Sequence, residues 1–303
     1  MPIRAITHDG VAAVELTTPA LRLVAVHGFG PRFAWFGRPG GDNLLLWDDS
    51  AKPRYVRAAP GKDWKLRGGH RLWIHGGGAD ENEATYRNDD APGTCEVRAD
   101  GFTVSGALDP ETRLRRSLSV RVLGDDRLEV DNVIVNEGDM LAGAGPWGLT
   151  CTVPGPATRY LVPLGDGSEW DSTTITVFRC WAGHGTRSFR EEQWELGDDA
   201  YVLTPRGKET KRMVRAPRGL IAMTDPARRF TFAIRCPFDI DAAYPGAANI
   251  AAYVGPGNFM VEMETMGAVA LLKPGRSVVH RQEWRLLDRA VDLTGAALLA
   301  ALG

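Results

Sequence analysis

Polar and hydrophobic positions alternate with a period of two along most of this chain, the pattern of strands with one buried face. Leu21, Leu23 and Ala25 interleave with Arg22, Val24 and Val26. Leu118, Val120 and Val122 run into Gly124-Asp125-Asp126, and Leu128, Val130 and Asn132 lead away, which predicts a hairpin. Thr174 to Trp181, Phe230 to Arg235, Phe259 to Thr265 and Val278 to Leu286 are rich in β-branched or aromatic residues and are set apart by Gly, Pro, Asn or Asp. One stretch reads as helix, the Ala/Leu-rich Leu293 to Leu302, inside a C-terminal segment 290–303. Ala182 to Gly197 is polar and irregular, a loop able to border a cleft.

Strands do not alternate with helices, which argues against a parallel α/β sheet, and 35 Gly and 19 Pro suit many tight antiparallel connections. The expected fold is all-β, an antiparallel sandwich. No fixed-period repeat points to a propeller or solenoid. With 303 residues, 44% of them hydrophobic, the chain can bury a large core without disulfides or metal, and no linker-like stretch divides it, so one domain over 1–303 is expected.

Two clusters concentrate polar chemistry within this pattern. The first is the strand His70-Arg71-Leu72-Trp73-Ile74-His75 between glycine runs, in which alternation places Arg71, Trp73 and His75 on one face and His70, Leu72 and Ile74 on the other. An indole can meet the apolar side of a sugar ring, a guanidinium its hydroxyls or a carboxylate, and an imidazole can move a proton. The plainer alternative is a rim strand whose Arg and His pair with neighbouring acids. The second cluster is Phe259 to Gly267, where Glu262 and Glu264 share a face opposite Val261 and Met263. Two carboxylates side by side push one proton affinity upward, which suits acid-base work near neutrality, and a nearby Arg would pull it back. The alternative there is the solvated face of an edge strand.

Gly145-Pro146-Trp147 reads as a turn-rich link delivering Trp147 at the start of a strand, either as a stacking surface or as a core plug. Tyr86 to Pro92 and Pro205-Arg206-Gly207-Lys208 read as loops whose charges reach a cleft or simply meet solvent. A metal site from His70, His75, Glu81 and Glu83 is not expected, because the spacing fits no ligand motif and the two imidazoles point to opposite faces. Nucleophile-elbow, Walker and dinucleotide motifs are missing, so hydrolase-triad and nucleotide readings fall away and no cofactor is expected.

Charge narrows the partners. Lys and Arg (36) nearly balance Asp and Glu (38), a formal net charge of -2, which gives no basic field for nucleic acid or an anionic membrane. The N-terminal residues lack a signal-peptide pattern and no apolar run is long enough to span a bilayer, so a cytoplasmic location is expected. Cys95, Cys151, Cys180 and Cys236 are scattered singly and are expected as reduced thiols, buried or half-buried.

Taken in order, several segments resemble a bacterial family of the galactose-mutarotase-like superfamily, over most of the chain. They are an early strand leading to Gly30-Pro31-Arg32, Gly68-Gly69-His70-Arg71-Leu72-Trp73-Ile74, Thr85-Tyr86, Val133-Ile134-Val135-Asn136 and Pro146-Trp147-Gly148-Leu149-Thr150. Val261-Glu262-Met263-Glu264-Thr265-Met266-Gly267, Lys273-Pro274-Gly275 and Glu283-Trp284-Arg285-Leu286 close the series. The resemblance implies a large antiparallel supersandwich with a carbohydrate cleft on its concave face. It also implies a late-strand Glu as general base and a mid-chain His as general acid, as in aldose and hexose-phosphate epimerases. Glu264 best matches the base, with Glu262 its nearest rival. The His has no match, since that position reads Thr150-Cys151-Thr152.

The leading expectation is therefore an epimerase-like or mutarotase-like enzyme moving protons on a sugar or sugar derivative. Glu264 would be the base, His75 the displaced acid, and His70, Arg71, Trp73, Trp147 and Lys208 the substrate contacts. Two alternatives use the same cleft, a carbohydrate-binding module without turnover and a lyase or isomerase acting on a non-sugar metabolite. Oligomeric state is not legible.

Overall fold

The computed structural model describes residues 3–48, 50, 56–57, 63–75, 83–178 and 190–303. Among these, all strands but one short pair belong to two antiparallel sheets of 11 and 10 strands. The larger sheet runs Ile3–His8, Val11–Thr17, Arg22–Val26, Arg32–Gly37, His70–His75, Ala142–Thr152, Val261–Met266, Ile250–Val254, Thr210–Arg215 and Thr174–Val177, with Ala270–Leu272 paired alongside Ala142–Thr152. The second runs Trp194–Leu196, Ala200–Leu203, Arg159–Pro163, Leu220–Asp225, Phe230–Arg235, Ser277–Leu287, Arg127–Asn136, Leu114–Gly124, Gly101–Ser105 and Thr94–Arg98. A two-stranded ribbon, Val56–Arg57 with Trp64–Lys65, stands apart from both.

The expected hairpin is present: Leu114–Gly124 pairs with Arg127–Asn136 from Leu114↔Asn136 to Gly124↔Arg127, leaving Asp125-Asp126 as the turn. Ser277–Leu287 then pairs Arg127–Asn136 on one side and Phe230–Arg235 on the other, so its inward residues reach the middle of the sandwich. Trp284 is the plug, with no exposed surface. Its indole meets Phe33, Phe36, Phe232 and His70 at ring distances of 5.6, 5.1, 5.1 and 5.0 Å, mostly edge to face, the arrangement the ring quadrupole favours. The apolar residues of both inner faces, Leu72, Val261 and Met263 from one sheet and Leu118, Val130 and Ile134 from the other, form one continuous core.

Three local expectations change. Pro146 lies inside the Ala142–Thr152 strand and not in a turn before it. A proline is tolerated there because the strand changes partner at that point, from Ala270–Leu272 to Val261–Met266, with Gly267 N–H donating to the Pro146 carbonyl. In the irregular 182–197 segment, Trp194–Leu196 is a short edge strand, while 182–189 lies outside the described residues, as do 179–181 of the Thr174 to Trp181 strand. The C-terminal helix spans Gly295–Leu302. Thr294 caps it by accepting from Ala297 N, and Leu298 and Leu302 pack onto Leu161, Ala222 and Leu287 of the second sheet. No helix among the described residues is long and apolar enough to cross a membrane. Cys151 and Cys236 are buried, Cys95 is half-buried, and all three are free; Cys180 lies outside the described residues.

Candidate active site

Five neighbouring strands of the larger sheet carry the candidate residues, and their register explains how distant segments meet. One cross-strand row reads Arg71, Leu149, Glu264, Ala251 and Met213. The next row on the same face reads Cys151, Glu262, Tyr253 and Lys211. Alternation thus puts Glu262 and Glu264 on the sheet face that points away from the second sheet. Their strand is paired on both sides, so it is an interior strand and not an edge.

The two rows exchange cations. Lys211, in the row of Glu262, reaches diagonally to Glu264, with Nζ 2.7 and 2.8 Å from its two oxygens. The strand between them presents Ala251 beside Glu264, and a single methyl leaves room for the lysine stem. Arg71, in the row of Glu264, reaches the other way: Nη2 donates to Glu262 Oε1 at 2.8 Å and Nη1 to Cys151 Sγ at 2.9 Å. The Cys151 thiol donates to the same Glu262 oxygen at 3.2 Å, and Trp147 Nε1 donates to Glu264 Oε2 at 2.8 Å. Lys211 also lies 4.9 Å from the Trp147 ring centre, a cation–π contact.

All four charges are buried, Glu264 completely and Glu262 with 6% of its surface left. Burial disfavours the charged form of both acids, but their surroundings split them. For Glu264, burial and the adjacent Glu262 charge outweigh Lys211 and the hydrogen bonds, and the carboxyl sits above the ordinary range. For Glu262, burial is outweighed by Arg71 and Lys211 with the Arg71 and Cys151 hydrogen bonds, and the carboxyl sits below it. Burial, with Glu262 adding to it, pushes the Cys151 thiol well up against the pull of Arg71.

Over this face lies an aromatic cover organised by one acid. Asp89 accepts from Trp64 Nε1 at 2.8 Å, Trp73 Nε1 at 3.3 Å and Arg32 Nη2 at 2.5 Å, with Arg116 at 3.8 Å. Burial would raise its carboxyl, but Arg32, Arg116 and Arg71 hold it down at about 2. The loop reading of Tyr86 to Pro92 as a solvated stretch therefore fails at Asp89, whose three cations come from other strands. Trp64, Trp73 and Tyr86 pack at 5.1 to 5.6 Å, Trp147 meets Trp73 edge to face at 5.8 Å, and Arg71 stacks on Trp73 at 4.3 Å. Both Trp73 and Trp147 are thereby buried within the face, Trp147 in mid-strand.

The remaining candidates fall elsewhere. His75 shares the face of Arg71 and Trp73, but it stands opposite Gly145, four residues along from the row of Glu264, roughly 13 Å at the rise of a strand. Its Nε2 donates to the Gly267 carbonyl at 2.9 Å, which makes Nδ1 the bare nitrogen, buried and without a partner among the described residues. His70 points between the sheets. There its Nδ1 lies 2.9 Å from Thr150 Oγ1 and its Nε2 3.0 Å from Asn132 Oδ1, and burial, despite the Asn132 bond, lowers its pKa to about 3. Lys208 is 60% exposed on a loop and pairs with Glu191 at 3.2 Å. Glu81 lies outside the described residues; among the rest, no three His, Cys, Asp or Glu side chains are placed to hold a metal. Lys211 is the charged residue that sequence reasoning passed over. Its one signal was a lysine in phase with Met213 on a β-patterned stretch.

No family model matches the chain, and no curated protein matches it. Solved structures do. Over 94% of this chain and 99% of the other it superposes on a candidate aldose 1-epimerase from Escherichia coli K12, with a TM-score of 0.59 and 11% identity. A candidate mutarotase from Salmonella typhimurium gives 0.60 at 12% identity over 95% and 94%. A galactose mutarotase-like protein from Clostridium acetobutylicum gives 0.54 at 10% over 95% and 99%. This chain has the galactose-mutarotase-like fold. At such identities the likeness establishes the fold alone, and within it Glu262 and Glu264 lie on an interior strand of the larger sheet.

Proposed function

We propose that this galactose-mutarotase-like chain acts on the anomeric centre of a small sugar or sugar derivative by acid-base proton transfer, with Glu264 as the base. One observation carries the reading: a buried carboxylate of raised proton affinity is aimed by Lys211 and Trp147 while its neighbour Glu262 stays ionised on Arg71. Two acids whose surroundings drive their proton affinities apart are suited to different roles. Glu264 takes the proton from the anomeric hydroxyl. Glu262 and Arg71 hold neighbouring hydroxyls, with Trp73 and Trp147 forming the apolar surround. Lys208, at the exposed loop, meets charged groups of an incoming ligand, and His70 orients the strand from its other face.

Glu264→Gln keeps an acceptor for Trp147 and removes the base. Polarimetry on freshly dissolved α-D-glucose, α-D-galactose and glucose 6-phosphate should show a loss of at least about 100-fold in anomer interconversion, the usual share of a general base. Unchanged turnover in a folded Glu264→Gln protein sinks the assignment. A second reading, a binding module without turnover, draws on the complete burial of Glu264 and the occupation of both its oxygens. Calorimetric binding of these sugars without any acceleration of anomer exchange would select it.

A further inference from the structure

The ring-opening reaction proposed above needs a second proton, delivered to the ring oxygen as the base removes one from the anomeric hydroxyl. Where the resemblance implies a histidine acid, this chain reads Thr150-Cys151-Thr152, and the Cys151 thiol is turned to Glu262. His75 is roughly 13 Å along the sheet from the Glu264 row, and its one N–H is committed to the Gly267 carbonyl. Two proton-bearing side chains touch the base itself, the Trp147 indole, whose N–H does not ionise near neutral pH, and Lys211. Lys211 Nζ stands 2.7 and 2.8 Å from the two Glu264 oxygens, on an ammonium that can give up a proton.

We infer, on the basis of that reading, that Lys211 is the general acid, paired with Glu264 as a compact donor and acceptor for the two oxygens of one anomeric carbon. The ring oxygen and the anomeric hydroxyl share that carbon, so acid and base must sit within a few ångströms of each other. Lys211 and Glu264 meet this requirement. In the opening step Glu264 takes the proton of the anomeric O–H, and the C1=O bond forms. The bond from C1 to the ring oxygen breaks, and that oxygen takes a proton from Lys211. The result is an open-chain aldehyde, a neutral amine and a neutral carboxylic acid. Closure on the opposite face of the aldehyde runs the same transfers backward, so no proton or electron is gained or lost over the cycle.

The physical setting favours this pair. An ion pair held out of water loses most of the hydration that stabilises it, so conversion to a neutral pair is less uphill than in solution. The Glu264 side chain is fully buried and that of Lys211 is 3% exposed. The net charge of the site is the same before and after the step, so no uncompensated charge develops there.

Lys211→Arg separates proton donation from charge, because a guanidinium keeps the ion pair with Glu264 but does not give up its proton. With the three sugars above as probes, the wild type should accelerate anomer exchange. Lys211→Arg should lose about 100-fold or more in kcat with KM within about threefold, the scale of a lost general acid. Lys211→Ala supplies the second arm: added methylammonium should restore exchange in proportion to its concentration. Lys211→Arg that is folded by near-UV circular dichroism and active within threefold of wild type overturns the inference and leaves the Glu264 reading standing. If Lys211→Arg does not fold, failure of methylammonium to restore Lys211→Ala overturns it. A wild type inactive on all three sugars overturns the reading and the inference together.

Discussion

Around His70 and around Glu264, on the two faces of the same central strands, polar groups are buried in opposite ways. On the face toward the second sheet, His70, Asn132, Thr265, His280, Gln282 and Trp284 form a neutral network. Asn132 Nδ2 donates to the His280 carbonyl, which leaves Asn132 Oδ1 to accept from His70 Nε2. Gln282 accepts from Trp284 Nε1 and donates to Thr265 Oγ1, whose hydroxyl is then free to donate to His280 Nε2. Burial takes both imidazoles down to about 3, so neither is charged at neutral pH. On the opposite face the buried groups are ions, with Glu264 on Lys211 and Glu262 on Arg71. A neutral network holds two sheets together at a modest gain per bond. Buried ion pairs stabilise little for their desolvation, so two of them side by side around Glu264 and Glu262 point to a task beyond folding.

The contrast is broken most severely by removing one ion. Lys211→Met leaves Glu264 buried without its cation, a loss of roughly 3 to 5 kcal/mol. The carboxyl then takes up a proton instead of staying charged, so its proton affinity rises further. A raised carboxyl stabilises below its unfolded range and is lost as pH climbs through its folded value, so the deficit in urea denaturation should be larger at pH 8 than at pH 5. Adding Glu264→Gln should recover most of the loss. A Lys211→Met protein as stable as wild type at pH 8 would mean that the ionic face is not ionic.

The neutral face responds to acid. His70 and His280 have folded values of about 3 against an ordinary 6.5, so their contribution is full above 6.5 and drains away as pH falls toward 3. Between pH 7 and 4.5 each imidazole should remove roughly 2 to 3 kcal/mol of unfolding free energy. The Asp89 carboxyl, held at about 2, begins to lose its contribution only below its ordinary 3.8, so the two windows separate. Urea midpoints taken down this range should fall, and His70→Asn should flatten the fall by about half. An equal fall in both proteins would show that His70 is not held neutral. The smallest expected change is Thr265→Val, about 1 to 3 kcal/mol, because it strips a hydroxyl from His280 and Gln282 on the core face. Anomer exchange should remain within twofold of wild type in that variant, and a larger loss would show that the faces are coupled.

Much of the fold was legible because period two carries its own geometry. The Leu118–Leu128 hairpin, the division of His70–His75 into Arg71/Trp73/His75 and His70/Leu72/Ile74, and the shared face of Glu262 and Glu264 all follow from alternation along one strand. Less of the candidate site was legible. Glu264 meets a lysine 53 residues away in the chain, two strands across the sheet, and nothing local to either residue records that pairing. Asp89 reads as a polar loop residue until Arg32, Trp64 and Trp73 converge on it. His75 reads as a displaced acid because it shares a face with Arg71 and Trp73, while register sets it four residues along from the Glu264 row.

By itself the sequence determined which side chains share a face, since that depends on the chain's own pleat, and it determined that the fold is built mainly of strands, since period-two alternation dominates the chain. Tertiary structure decided that the paired acids meet buried cations while His70 meets neutral partners, that the Glu264 strand is interior, and that the cation on Glu264 is Lys211. The reason is that strand order and register are set by the packing of the whole sandwich, and a cross-strand neighbour leaves no trace in the residues on either side of it.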